Sequence, residues 1–500
     1  MINNNYIEKF FDKSFRNINS KKIFYKNDKE KYSYLDLGKF YKKFCNLIFR
    51  LSKKRIKIAI ISSKNFESYS CIISIILSKN IWIPINPHTP NERIKKILLE
   101  ANPDILIVES KNEKKFQSLK KFCNNKRIIV IDFFKIKNEK IKRYLPKSHN
   151  INSENISMIF FTSGSTGKPK GVKLNYRGFL HSMYEQYRIL FKNKKNLIFG
   201  DYHDPSFVIS LNILLLSFFT KNTICPATNP YDSIIPIDHI KQNKVNVLIT
   251  VPSTILRVMN YTKLLDLKNK FKIIIMCGEP FHLKIYKFIL KNFNSEKVYN
   301  CYGSTELSPW VFYHKCKKKD LLNYKKYNLM PIGKPFKYTN TSINKNELLI
   351  SGKMLSDGYL DEKQNKEKFF NFNNVKWYKT GDIVKKINNI FLVKGRLDRI
   401  VKINGYRVDL TEIEKYIQDY SDMITNVVSF TYNKNLEKKI CCVVESKEKI
   451  INEKIIIFLK NFLPSYMLPK KFIFEKKFKI NKNGKVDRAY LIKKYSNNHS

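Results

Sequence analysis

The chain has 500 residues, too many for one hydrophobic core, and its 43% apolar content is ample for more than one. A formal charge of +52 invites a nucleic-acid reading, yet the basic residues run the whole length and no zinc-finger, homeodomain or RNP-like pattern accompanies them. A solvated basic surface is the simpler reading; a basic docking face, if the lysines form one, would suit an acidic protein or a polyphosphate ligand.

The first third alternates short β-branched runs with amphipathic stretches. KIAIIS (57–62), NIWIPIN (80–86), DILIVE (104–109) and RIIVID (127–132) read as buried strands, and SYSCIISIILSK and NERIKKILLEAN between them carry helical spacing. That alternation predicts βαβ units and a mostly parallel sheet. It resumes with NVLITVPS (246–253) and KIIIMCGEP (272–280). The most apolar run, FVISLNILLLSFF (207–219), is too short to span a bilayer and reads as a buried helix. From about 340 the segments NELLISG, KWYKTGD and NIFLVKGR predict a smaller β-rich module. After GRLDR (395–399), IVKINGYRV reads as a hairpin around Asn404-Gly405, followed by a helix from Thr411 with Glu414 in capping-box spacing. Nine cysteines, no CxxC pair and no signal-peptide pattern predict a cytoplasmic protein with free thiols.

The densest chemistry lies in FFTSGSTGKPKGV (160–172), which carries three glycines, four hydroxyls and two lysines after the apolar run ISMIFF. Backbone N–H groups converge on a phosphate only where side chains leave the approach open, and hydroxyls and lysines add donors and charge. The P-loop pattern GxxxxGK[ST] does not fit, because each lysine is followed by proline or glycine.

In order after this loop come NCYGSTE (300–306), YKTGD (378–382), GRLDRIVKINGYRVDLTEIE (395–414) and NKNGKVDR (481–488). Together the five segments resemble the signatures of the ANL superfamily of adenylate-forming enzymes, which includes acyl-CoA synthetases, peptide-synthetase adenylation domains, luciferases and D-alanine–D-alanyl carrier protein ligases. The resemblance covers essentially the whole chain. It implies an α/β fold with a large N-terminal domain of parallel and mixed sheets plus a β-rich subdomain (1–395), hinged at Asp398 to a small, mobile α+β C-terminal domain (396–500). It implies ATP and Mg²⁺ as cofactors. Thr162, Ser163, Gly164, Ser165, Thr166, Gly167 and Lys170 would embrace the β- and γ-phosphates, with Glu306 on Mg²⁺ and Thr305 on the α-phosphate. Tyr302 would stack on adenine and Asn300 read its amino edge, with Glu279, Pro280, Cys301, Gly303 and Ser304 lining the nucleotide pocket. Asp382 would take the ribose hydroxyls, assisted by Arg396. Lys485 would bridge the acid carboxylate and the α-phosphate at the moment of attack. Three departures stand out: YGSTE for the usual YGPTE, a missing proline in the lysine motif, and Asp409 where Glu is common. None removes a reacting group.

The acid is less legible. IPINPHTPNERI (83–94) resembles the amino-acid-activating members more than the acyl-CoA synthetases. In YHDPSF (202–207), Asp204 falls where amino-acid activators place the carboxylate that pairs with the substrate ammonium, with His203 for an aromatic and Ser206 retained. A buried, unpaired ammonium costs several kcal/mol, so a zwitterion needs such a partner. Fatty-acyl-AMP ligases also carry an HD pair there, so a structural role for Asp204 stays open. By motif offset, the other walls are Pro205, Val208, Thr250, Ile275, Cys277, Cys301, Pro309 and Trp310. The bulk of Pro309 and Trp310 beside the YGSTE strand predicts a shallow pocket and a small acid. Cys277 before GEP resembles the D-alanine ligases, though a plain core cysteine fits equally. The expectation is a monomeric ligase that adenylates a small, alanine-like amino acid and loads it onto the pantetheine thiol of an acidic carrier protein. An acyl-CoA synthetase or fatty-acyl ligase, with coenzyme A or an acyl carrier as acceptor, is the alternative.

Overall fold

The computed structural model describes residues 16–61, 63–109, 113–141, 154–163, 169–260, 270–434, 437–446, 451–480 and 486–496. The chain divides into two compact units. The first comprises residues 1–87, 101–160 and 171–397; the second comprises 88–100, 161–170 and 398–500.

In the first unit the apolar runs become sheet interiors. One seven-stranded sheet has Ile105–Val108, Lys57–Ile61, Ile81–Ile85 and Ile156–Thr162 side by side and parallel. All four residues of Ile105–Val108 are buried, the near-continuous apolar signature of a strand covered on both faces. A nine-stranded sheet places Val298–Tyr302, Ile273–Cys277, Val247–Thr250, Ile198–Asp201 and Thr223–Pro226 in parallel at its centre and antiparallel strands at its rims. The run expected to be a buried helix is one: every residue of Val208–Phe219 is buried. A helix apolar on all sides has no face to give to water. Among the described residues no helix is long and apolar enough to cross a membrane. The β-rich module is a five-stranded antiparallel sheet built on the long strand Val375–Ile387, which pairs with Glu347–Gly352, Phe369–Phe372 and Ile390–Arg396.

In the second unit, Ile400–Ile403 and Tyr406–Asp409 form the expected hairpin, with Asn404 and Gly405 both at positive φ (51° and 82°), as a type I′ turn requires. A three-stranded sheet of Ile424–Lys434, Glu437–Ser446 and Lys471–Glu475 packs with Leu410–Gln418 and Asn452–Lys460 around a core that includes Ile413, Ile417, Ile440, Ile455 and Leu459. The capping differs from expectation. Asp409, not Thr411, is the N-cap, and its carboxylate accepts from Thr411 N at 3.0 Å. Glu414 does not close a capping box; it accepts from Arg399, Arg488 and Ser429 N instead. A shorter acidic side chain at 409 therefore suits the cap. All nine cysteines are free and buried.

Candidate active site

The strand Val298–Tyr302 ends at the carboxyl edge of the nine-stranded sheet, the edge where open α/β sheets bind ligands. The chain then turns at Gly303, where an added Cβ would lie 1.9 Å from the Pro309 carbonyl oxygen, so only glycine fits. A short 3-10 turn, Thr305–Leu307, follows. It buries Glu306 completely, with Oε1 accepting from the Tyr359 hydroxyl at 2.7 Å. Next to it the Ser304 hydroxyl is buried, with no hydrogen-bond partner among the described residues. An orphaned buried hydroxyl is costly and is explained by a polar ligand more readily than by packing.

Asp382 forms a second corner. Its strand pairs with Ile390–Arg396 so that Asp382 faces Arg396, whose guanidinium donates to Oδ1 at 2.6 Å and to the Thr380 carbonyl at 3.0 Å. The Tyr302 hydroxyl donates to Oδ2 at 2.5 Å. Burial, then the Asp382 charge, push the Tyr302 phenol far above its usual range, so it stays a donor. Thr380 Oγ1 accepts from Asp382 N at 3.0 Å, and Gly381 sits at φ 73°. Two residues expected on different parts of a nucleotide, Tyr302 on the base and Asp382 on the ribose, thus touch each other. Asn300 spends its amide nitrogen on the Pro331 carbonyl (2.9 Å) and the Met330 carbonyl (3.4 Å). Glu279, after Gly278 at φ 80°, accepts from Ser253 N at 2.8 Å and its hydroxyl at 3.1 Å.

The corner expected to take the acid (the acid corner) starts where Ile198–Asp201 ends. Asp204 is half-buried, and its Oδ1 accepts from Ser206 N (2.8 Å) and the Ser206 hydroxyl (2.7 Å), which accounts for the serine two residues on. His203 is buried, and burial lowers its pKa to about 4, so the imidazole is neutral. Val208, Thr250, Ile275, Cys277, Cys301, Pro309 and Trp310 are all buried, while Pro205 is half-buried. Cys277 and Cys301 are partners across parallel strands, and burial drives the Cys301 thiol far above its usual range, which suits a packing group and not a nucleophile. Thr250 Oγ1 is buried with no hydrogen-bond partner among the described residues.

Two residues at this corner escaped the sequence reading. Asp201 is fully buried and accepts from the hydroxyls of Tyr69 and Ser210, each at 2.6 Å. Lys64 donates to the Asp201 carbonyl at 3.2 Å, and burial lowers its pKa while Asp201 and Asp204 pull it back up. The only signal was a second aspartate three residues ahead of Asp204; nothing pointed to Lys64.

In the second unit, Ser163 follows the strand that ends at Thr162 and is buried; its hydroxyl donates to the Arg407 carbonyl at 2.7 Å and accepts from Asp409 N at 3.1 Å. Lys170, also buried, opens the next strand. Asp398 accepts from Ile400 N at 3.3 Å. Gly164, Ser165, Thr166, Gly167 and Lys485 lie outside the described residues. Arg93, absent from the sequence reading, pairs with Glu412 at 2.5 Å with both side chains nearly or wholly buried (7% and 0% exposed).

A buried acidic turn at a strand edge, and an aspartate held by arginine and tyrosine, suit a nucleotide-using enzyme of the adenylation class. The AMP-binding enzyme family model matches residues 11–360, and the chain belongs to that family. It is an adenylate-forming ligase and uses ATP. Its relatives include the D-alanine–D-alanyl carrier protein ligase of Bacillus licheniformis, 28% identical over 82% of this chain and 84% of the relative. Bacitracin synthase 2 of the same species is 27% identical over 87% of this chain, but the chain spans only 17% of that protein's length. Among solved structures, the Vibrio cholerae adenylation domain AlmE, in complex with glycyl-adenosine-5'-phosphate, superposes with a TM-score of 0.83 over 99% of this chain and 98% of its own, at 20% identity. NpsA-ThdA, a fused adenylation-PCP di-domain from Klebsiella oxytoca, gives 0.79 over 93% of each chain, at 18% identity.

Proposed function

We propose that the protein adenylates a small amino acid, alanine-like in size, and passes the aminoacyl group to the pantetheine thiol of a carrier protein. A carboxylate oxygen attacks the α-phosphorus of ATP and the bond to pyrophosphate breaks. The thiol sulfur then attacks the acyl carbon, AMP leaves with the bonding pair, and the thiol proton is released. The observation that carries the substrate reading is Asp204: a half-buried carboxylate at the strand edge, braced by Ser206 beside a neutral histidine. Such a group pairs with an ammonium. Supporting it, a fold neighbour holds a glycyl adenylate, and the carrier ligases are relatives over most of their length.

In this reading Asp382, held by Arg396, accepts the ribose hydroxyls. Asn300, its nitrogen already committed, offers its oxygen to the adenine amino group. Tyr302 lies against the base. Thr162, Ser163, Lys170 and the loop between them take the phosphates, and Lys485 bridges carboxylate and α-phosphate. Asp398 is the hinge about which 396–500 turns between the two half-reactions. Magnesium fits the residues present, since Glu306 offers a buried hard carboxylate beside the Ser304 hydroxyl, which has no hydrogen-bond partner among the described residues. Mg²⁺ binds through one or two carboxylates plus nucleotide phosphates, and it would neutralise charge on them.

The test is acid-dependent ATP–pyrophosphate exchange across D- and L-alanine, glycine, serine, β-alanine, acetate, a medium-chain fatty acid and an aryl acid. Exchange with a small amino acid, lost in Lys485→Ala and Asp204→Ala, is expected. Exchange only with an acid lacking an amino group would overturn the substrate assignment and favour the acyl-CoA or fatty-acyl alternative.

A further inference from the structure

The wholly buried helix Val208–Phe219 carries three polar side chains, Ser210, Asn212 and Ser217. Two are satisfied: Ser210 donates to Asp201 at 2.6 Å and Ser217 to the Leu214 carbonyl at 2.7 Å. Asn212 is only half satisfied. Its amide nitrogen donates to Gln186 Oε1 at 2.8 Å, Gln186 Nε2 donates to Ser182 Oγ at 2.9 Å, and the Ser182 hydroxyl donates to the Trp310 carbonyl at 3.4 Å. A carbonyl can only accept, so this buried chain has one direction and leaves Asn212 Oδ1 as an acceptor at its end. That oxygen has no hydrogen-bond partner among the described residues.

Val208, Leu211, Asn212 and Leu215 line a small cavity with Ser308 and Pro309. Its volume, about 10 Å³ for the centre of a water-sized group, is room for one oxygen. The Ser308 hydroxyl is also buried with no hydrogen-bond partner among the described residues. Unpaired buried polar atoms are costly, and packing alone gives no reason to keep two of them at one cavity. An amide oxygen and a hydroxyl suit a group that donates one hydrogen bond and accepts another. Val208 and Pro309 are among the walls expected for the acid, and Asn212 lies one turn, about 6 Å, further along the helix on the same face as Val208.

We propose that this cavity is a hydroxyl subsite: the acid carries a side-chain hydroxyl that donates to Asn212 Oδ1 and accepts from Ser308 Oγ. Asn212 and Ser308 are then specificity-determining residues. The proposal rests on the acid-activating reading above and narrows its substrate to a hydroxylated acid.

The test is ATP–pyrophosphate exchange of the full chain with acids paired by shape and differing in the hydroxyl: serine against α-aminobutyrate, homoserine against norvaline, and β-hydroxypropionate against butyrate. Alanine and glycine are run beside them. In at least one pair the hydroxylated acid is expected to win by about tenfold or more in kcat/KM, because a site built to bond a hydroxyl leaves its polar groups unpaired with the analogue. Asn212→Leu should erase that preference chiefly by raising KM for the hydroxylated member, with kcat for the analogue retained. Ser308→Ala should reduce it about threefold or more, and it carries the comparison if Asn212→Leu does not fold. A preference that survives both substitutions, or one for the analogue in every pair, overturns the subsite. Equal use of both members, with Asn212→Leu more heat-stable than wild type, means the cavity holds only water and overturns it too. Exchange with alanine or glycine but with no hydroxylated acid overturns the subsite and leaves the amino-acid reading standing. A hydroxyl preference confined to β-hydroxypropionate supports the subsite and overturns the role given to Asp204.

Discussion

The Asp382 corner and the Arg93–Glu412 pair both bury a carboxylate against an arginine, yet they are built in opposite ways. Asp382 and Arg396 lie 14 residues apart on neighbouring strands of one sheet, so strand register alone brings them together. Arg93 and Glu412 are 319 residues apart and meet only when a helix from each end of the chain packs side by side. A pair set by register persists as long as its sheet does. A pair set by packing between distant segments persists only as long as those segments stay docked.

The largest effect expected at the register-built corner is from Asp382→Ala. It strips hydrogen bonds from Arg396 and Tyr302 and should cost about 3–5 kcal/mol in denaturant unfolding, as breaking a buried pair does, along with pyrophosphate exchange. A small stability change with exchange intact would mean the corner is not part of the nucleotide site. Next in size is a pH effect at the acid corner. His203 has its folded pKa lowered from 6.5 to about 4, so the unfolded chain binds the proton more readily between these values. Stability from this group is present above pH 6.5 and is lost as pH falls towards 4, by at most about 3 kcal/mol. His203→Gln should flatten that part of the stability–pH curve; an unchanged slope would show that the ring is solvated. Gly303→Ala, which forces a Cβ against the Pro309 carbonyl, should cost about 1–3 kcal/mol and weaken ATP binding by displacing the acidic turn. The smallest effect belongs to Lys96→Met beside the packing-built pair, where the ammonium lies 4.9 Å from the Tyr416 ring and 5.6 Å from the Phe462 ring; about 0.5–1 kcal/mol is expected for such partly exposed cation–π contacts, read by thermal unfolding.

Several elements were legible because they depend on local rules. The buried helix Val208–Phe219, the strands ending at Thr250 and Cys277, and the Asn404-Gly405 turn follow from apolar runs and from residues that tolerate positive φ. The residues of the Asp382 corner were named individually from their motifs, since each motif is a few contiguous residues. Their mutual contact was not, because Tyr302 and Asp382 are 80 residues apart. Thr411 and Glu414 had the right spacing for a capping box, but Asp409 reached the helix end first and Glu414 was drawn to two arginines. Lys64 and Arg93 carried no signal among so many basic residues; only burial distinguishes them.

The sequence by itself therefore determined the family and the reaction class, because motif segments are short and their chemistry restricts each position. Tertiary structure alone decided which partners those residues take: that Ser163 holds a hairpin, that Asp201 anchors the acid corner, and that Glu412 is neutralised by Arg93. These depend on burial and on distances between segments hundreds of residues apart, which no local pattern encodes.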